Sequence, residues 1–422
     1  MSDLAADKRA LRGVPLPVVA VALAVASTLL GDSMLYAVMP SQPEAWMLSL
    51  PAVGILLSVN RLIRLVTNSV AALIFQWFGQ RGPFIGALLL SVVVTLCYGW
   101  STAFALLLAA RMGWGFCWSI LRLGGFWTVL TEAGDHNRGL LMGAYSAIVR
   151  MGSVGGVLLG AALADLFGHH LTLTLFAAVM AVTAIAWTLT SRRPALAGQS
   201  RPQRSERADL RAVLADRRLL VTCGAILVTG LVFSGLVTAS LGFYLSAHFG
   251  QQIAVLGVAL GVTTATGILL GSQWLPLSPL FGYLSDRFGR ILVISGGFAT
   301  GAAGLFVLAV TQSIWLMLLA ILSAFVASTA LTVTLHATAG DLAPPDRRNA
   351  VLSAYATFLD LGSALGPLIG LSFASLAALQ GLYSGAAVLL LVAALSFWLV
   401  FRNRPSQGAH SDPTETQPTA TS

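Results

Sequence analysis

The sequence predicts an all-α integral membrane protein whose twelve transmembrane helices form two pseudo-symmetric six-helix bundles. Three observations carry that expectation. Apolar stretches of membrane-spanning length recur along the whole chain, basic residues fall in alternate loops, and the second half repeats the first at a shift of 210 residues.

The apolar stretches come first. With 57% hydrophobic and 9% charged residues, the 422-residue chain is too apolar for a soluble domain. A hydrocarbon core is crossed by about 20 apolar residues in a helix. Segments that qualify run over 14–39, 47–76, 83–100, 103–130, 139–164, 169–190, 219–246, 253–283, 291–310, 314–340, 349–377 and 380–401. The first follows Lys8, Arg9 and Arg12, but its apolar run exceeds that of a signal peptide and no small-residue cleavage site follows it. It is therefore read as a retained helix.

The loops test the count, because an error of one helix would scramble the distribution of positive charge. Nineteen of the 24 Lys and Arg residues fall on one side: the N-terminus, the loops at Arg81 and Arg138, eight Arg of the central linker, Arg287 and Arg290, Arg347 and Arg348, and Arg402 and Arg404. The other loops carry none. This places both termini in the cytoplasm, with the chain expected to be multi-pass in a cell membrane. The net charge of +8 then reports topology, and no nucleic-acid partner is expected. Cys97, Cys117 and Cys223 lie inside apolar segments with no paired spacing, so neither a disulfide nor a metal framework is read from them.

The organisation follows. Residues 1–13 form a cytoplasmic N-terminus, 14–190 the first bundle and 191–218 a cytoplasmic linker rich in Arg, Ser and Pro, with a short amphipathic helix near 208–215. Residues 219–401 form the second bundle. The polar tail over 402–422 has too little apolar surface to fold and is expected to be disordered.

The repeat is clearest where "AYSAIVRMGSVGGVLLG" (144–160) lies over "AYATFLDLGSALGPLIG" (354–370). Duplicated helical halves point to a carrier with its site near the bilayer midplane between them. Together with twelve segments, a central linker and the pattern G-x-L-x-D-R-x-G-R at Gly282, Leu284, Asp286, Arg287, Gly289 and Arg290, this resembles the major facilitator superfamily over nearly the full length.

In that family such loops latch the cytoplasmic side. The resemblance therefore implies a gating role for Gly282, Asp286, Arg287, Gly289 and Arg290, the alternative being that Arg287 and Arg290 only enforce topology. The family usually keeps this motif in its first half. Here the matching stretch reads "ALIFQWFGQ" (72–80), with neither acid nor base. A second family pattern, G-x-x-x-G-P-x-x-G-G in the fifth span of antiporters, is partly present as Gly152, Gly156 and Gly160, with Val157 where Pro is expected. The Pro occurs in the eleventh span as Pro367, among Gly362, Gly366 and Gly370. Close packing of helices accounts for both runs without antiport.

Ionisable residues inside the spans are costly and mark cavities or mutual pairs. Asp32, Arg61, Arg64, Arg111, Arg122, Arg150 and Asp360 are such residues. Asp32 and Arg111 each lie eight residues from the same membrane face, about 12 Å deep. By resemblance "LLLAARMGWG" (106–115) matches the family's fourth-span motif, and an acid beside that Arg is similar to bacterial drug/proton antiporters. Asp32 with Arg111 is thus the expected proton-coupling pair, the alternative being a structural ion pair. Tyr36 shares the face of Asp32, and Arg111, Trp118 and Arg122 share another. Asp360, which family architecture places against the second span, is expected to meet Arg61 or Arg64, and its repeat mate is Arg150. Tyr36, Arg61, Arg64, Trp118, Arg122, Arg150 and Asp360 are the candidate substrate-binding residues. Five buried Arg against two Asp favour a substrate with a carboxylate or similar group.

Lys8 is the only lysine and lies outside the spans, so no phosphate loop exists, and no H-E-x-x-H pattern or redox pair occurs. The chain is read as a transporter, not an enzyme, without a cofactor or metal. It would act as a monomer in the lipid bilayer on protons and a small molecule. The leading expectation is proton-driven efflux of a drug or a metabolite such as a siderophore. An importer or facilitator of organic anions, and a non-transporting receptor or scaffold, are the alternatives.

Overall fold

A computed structural model describes residues 14–134, 137–190, 216–255, 258–273, 277–344, 348–373 and 375–402. Most of the linker, with its expected amphipathic helix, the first 13 residues and most of the tail lie outside them.

Helix α1 (Leu16–Ser41) starts with Pro17 in its first turn, where a missing N–H leaves no helical bond unmade. A 3-10 turn (Pro43–Trp46) leads to α2 (Leu50–Phe78), capped by Ser49, whose Oγ accepts from Ala52 N. Gly79, at φ 71°, ends α2 before α3 (Arg81–Trp100), and α4 (Phe104–Glu132) follows. The stretch Arg138–Thr190 turns back on itself at Gly168 (φ 79°, ψ 161°), a conformation that favours glycine, and so makes two crossings, α5 (138–167) and α6 (169–190).

Helix α7 (Arg217–Phe249) is capped by Asp216 and carries a π-helical stretch over Gly230–Val237. Strands β1 (Gln252–Val255) and β2 (Val258–Gly261) pair antiparallel, with Gln252 opposite Gly261. Then come α8 (Val262–Ser272), α9 (Ser278–Phe288), α10 (Arg290–Val310), α11 (Ile314–Leu342), α12 (Arg348–Leu371) and α13 (Leu376–Phe401). Ten helices among the described residues are long and apolar enough to cross a membrane. The doubled α5–α6 stretch and the α8–α9 pair bring the crossings to twelve, in two six-helix bundles.

One predicted span is corrected. Residues 253–283 are not a single helix but a hairpin followed by two short helices. Val-rich apolar runs do not distinguish strand from helix by hydropathy alone. In sequence, Pro276 and Pro279, which lack the N–H that a continuous helix needs, fall between α8 and the body of α9. Spans nine to twelve of the sequence are accordingly α10 to α13.

The repeat recurs as packing. A Cβ on Gly156 of α5 would lie 2.5 Å from Leu30 O of α1, and one on Gly366 of α12, its repeat mate, would overlap Gly235 Cα of α7. Both glycines let two helix backbones touch. Gly366→Ala is therefore expected to destabilise the protein by about 1–3 kcal/mol through overpacking. Gly381→Ala on α13, where a Cβ meets nothing within 4 Å, should leave the melting temperature in detergent unchanged. Leu106, Val182, Leu189, Leu319 and Val392 are exposed, as side chains that face lipid would be. Between the bundles, α2 packs on α12 and α5 on α8. A Cβ on Gly54 would sit 2.7 Å from Pro367 O, and one on Gly267 2.7 Å from Val157 O.

Candidate functional site

The site is built on α2, whose polar residues recur at one-turn spacing on the face turned to the other helices. Asn60 donates to Asp32 Oδ1 of α1 at 3.1 Å, Arg64 pairs with Asp360 of α12 at 3.2 Å, and Asn68 accepts from Ser119 Oγ of α4 at 2.9 Å. A single stripe thus ties α2 to three other helices.

Asp32 and Arg111 meet at 2.5 Å. The Arg111 side chain is fully buried and also donates through Nε to Leu56 O at 3.0 Å, while that of Asp32 is 12% exposed. Both hydrogen bonds to Asp32 end on Oδ1. Oδ2 takes none among the described residues, and Asp32 lines a cavity. One carboxylate oxygen is anchored and the other is available. The Tyr36 ring lies beneath two cations, with the Arg61 and Arg111 guanidinium carbons 5.3 and 5.7 Å from its centroid.

Arg61 is held differently. Its Nη1 donates to Ser234 O and Ser363 O, each at 2.8 Å and both from the second bundle. Ser363 is four residues before Pro367, which has no N–H to give its carbonyl. Ser234 lies in the π-helical stretch of α7, where the usual helical register is lost. The carbonyl freed by the proline and one from the π-helical stretch both accept from Arg61 across the interface. Neither carries charge. Among the described residues, Arg64 and Arg111 have carboxylate partners and Arg61 has none.

These groups surround a cavity of about 310 Å3 between the bundles. Its wall includes Asp32, Tyr36, Arg61, Arg64, Trp118 and Asp360, all expected there, together with Trp114, Ser234, Thr238, Gln273 and Ser363, which were not. Arg122 and Arg150 are not part of the wall, and Arg150 is exposed on α5. Asp32 and Arg64 lie on helix faces turned to the cavity. For Arg122, farther along α4 than Trp118, a shared face did not ensure a shared depth. Ser363 had a signal in the sequence, since any residue four before an in-helix proline offers a free carbonyl. Ser234 had none, because the π turn has no sequence signature here. Arg64 Nε and Arg111 Nη2 are buried donors with no partner among the described residues.

The charged motif lies away from the cavity. Arg290 Nε reaches Asp341 of α11 at 2.6 Å, and Nη2 approaches Asp286 of α9 at 3.8 Å, while Arg287 donates to Tyr283 Oη. Gly289 adopts φ 88°, as its repeat mate Gly79 adopts φ 71°. Gln80 stands where the second half has Arg290 and donates to Gly124 O and Thr128 Oγ1 of α4. The first half therefore replaces the ion pair by neutral hydrogen bonds to the equivalent helix. Both sets of bonds join elements of one bundle. Gly282 has open space at its Cβ. Of the basic loop residues, Arg347 lies outside the described residues, as does the side chain of Arg348.

The family model for the Major Facilitator Superfamily matches residues 21–276 and 274–422. The chain belongs to the major facilitator superfamily. Two solved structures of similar shape are a bacterial homologue of the human lysosomal transporter Spinster, captured inward-facing and occupied (TM-score 0.77, 17% identity, 91% of this chain and 96% of that one), and the nucleoside transporter NupG (0.76, 14%, 92% and 100%). At such identities the likeness is one of fold. Among curated relatives, the human synaptic vesicular amine transporter is 25% identical over 243 residues, which is 57% of this chain and 45% of that protein. A triacylglyceride transporter of Mycolicibacterium smegmatis is 36% identical over 107 residues, 25% of this chain and 19% of that one. The chain thus matches less than half the length of these relatives. It is a multi-pass membrane transporter of the facilitator type, and such carriers move small molecules across a bilayer.

Proposed function

We propose that this facilitator works by alternating access and uses a proton gradient to export a small amphipathic or anionic compound, a drug or a metabolite such as a siderophore. The observation that carries the substrate class is Arg61, a cation on the cavity wall held only by carbonyl dipoles and an aromatic ring. A ligand carboxylate supplies the missing counter-charge, and Arg64 Nε, an unpartnered donor beside it, supports the same class. A cationic amine, the cargo named for the human relative, fits less well, because both cavity carboxylates are already paired with Arg.

Proton coupling falls to Asp32, supported by its free oxygen at the cavity and its fixed oxygen on Arg111. Binding of an anion competes with Ser234 and Ser363 for Arg61, so arrival of substrate loosens a tie between the bundles. The reading has both termini in the cytoplasm of a bacterium, supported by the basic loops, and the chain acting as a monomer, supported by a cavity whose lining comes from one chain. An importer or facilitator of organic anions is the second reading, favoured by the same cavity charge.

Comparing small molecules in the medium of wild-type and deletion strains tests direction and class together: an exporter's deletion retains an anionic compound inside the cell. If that compound instead disappears from the cell, the chain imports. For the compound found, Arg61→Gln removes the charge and leaves a shorter, neutral amide donor in its place. The expected result in proteoliposomes is a KM raised about 10- to 100-fold, the loss of one charged hydrogen bond. An unchanged KM would remove Arg61 from the site.

A further inference from the structure

The end of the molecule away from the basic loops holds a contact that none of the expected site residues makes. Helix α8 begins after Gly261, an N-cap residue with no side chain to accept from the free N–H groups of the first turn. The acceptor comes from the other bundle. Asp165, near the end of α5, accepts on Oδ2 from Thr264 N at 2.8 Å and from Thr264 Oγ1 at 2.6 Å. Its Oδ1 accepts from Gln42 Nε2 at 3.3 Å, and the same Gln42 amide donates to Thr263 Oγ1 at 2.9 Å. Thr263 Oγ1 is also 3.3 Å from Ser41 Oγ. Glycine at 261 is part of the fit, since a Cβ there would collide with Asp165 Oδ2. The hairpin fixes the start of α8 from the other side, with Val262 N donating to Gln251 O at 3.0 Å.

A carboxylate on a helix N-terminus gains from the helix dipole and from charge-assisted hydrogen bonds. Here the helix and the carboxylate belong to different bundles. Among the described residues no other charged side chain bridges the bundles at this end. Separating α5 from α8 there leaves Thr264 N–H without a cap, because Gly261 cannot replace it.

We propose that Asp165 is the latch that holds this end closed, a positioning residue that caps α8 across the bundle interface and must leave it for the cavity to open on that side. The inference rests on the alternating-access reading above. The latch sets the balance between the two open states without touching substrate.

The test uses the full chain in oriented vesicles, with Cys97, Cys117 and Cys223 replaced by Ser and a single reporter, Ser33→Cys, in the cavity wall. A membrane-impermeant charged thiol reagent is applied to one face at a time. Asp165→Ala should raise labelling from the face opposite the basic loops by roughly five- to thirty-fold, the range for a lost helix cap, and lower it from the basic face. Gly261→Ala, which drives the carboxylate off α8, should act in the same direction. Unchanged labelling in both variants overturns the latch, and so does a rise on both faces, which reports general loosening. A wild-type reporter reached from neither face removes the alternating-access reading itself, and the latch with it.

Discussion

Asp32→Asn is expected to reduce proton-driven transport to the level of empty vesicles. The substitution removes a cavity carboxylate that keeps an oxygen free to exchange a proton, and it leaves Arg111, fully buried, without its counter-ion. Breaking a buried pair from one side costs about 3–5 kcal/mol, so the melting temperature in detergent should fall as well. The double variant Asp32→Asn/Arg111→Gln separates the two effects. It removes the stranded charge and should recover most of the stability, while coupling stays lost. If the double variant instead transported with the gradient, the pair would be a structural tie between α1 and α4 and the proton would travel elsewhere.

Reversing the Arg64–Asp360 pair is the second large effect. Arg64→Asp sets two carboxylates against each other across the bundle interface, and Asp360→Arg adds a guanidinium beside Arg61 and Arg64. Each single variant is expected to lose transport, and the combined reversal to regain it, because the geometry of α2 against α12 is set by the backbone contact at Gly54 and Pro367. A cysteine pair at 64 and 360 asks whether the tie must break. Cross-linking should stop transport if the bundles part at this level during the cycle, and leave it intact if the pair is static. Failure of the double reversal to restore any transport would show that the two residues act independently.

Much of this arrangement is legible from residue types. Charge inside an apolar span is rare enough to demand a partner, and the resemblance to the family, which sets the first span by the fourth and the eleventh by the second, suggested Asp32 with Arg111 and Asp360 with the second span before any coordinates. The choice between Arg61 and Arg64 could not. Three residues apart, they lie on neighbouring turns of one helix face, and only the placement of Asp360 and of two accepting carbonyls separates their roles. Asp165 escaped notice because it lies just beyond the margin of its span, where an acid is ordinary. Its partners are backbone and hydroxyl groups 99 residues away, which no local pattern reveals.

The sequence by itself determined the solvent of this protein, its crossings, its duplication and the helices that carry charge. Those follow from hydropathy, loop charge and helical period, which act over one or two turns. Tertiary structure decided that the eighth span is a hairpin and two short helices, that Gln80 does with hydrogen bonds what Arg290 does with an ion pair, and that Arg61, unlike Arg64 and Arg111, has no acid among the described residues. These depend on which backbone groups are left unpaired and what lies opposite them. Only packing two bundles together settles that.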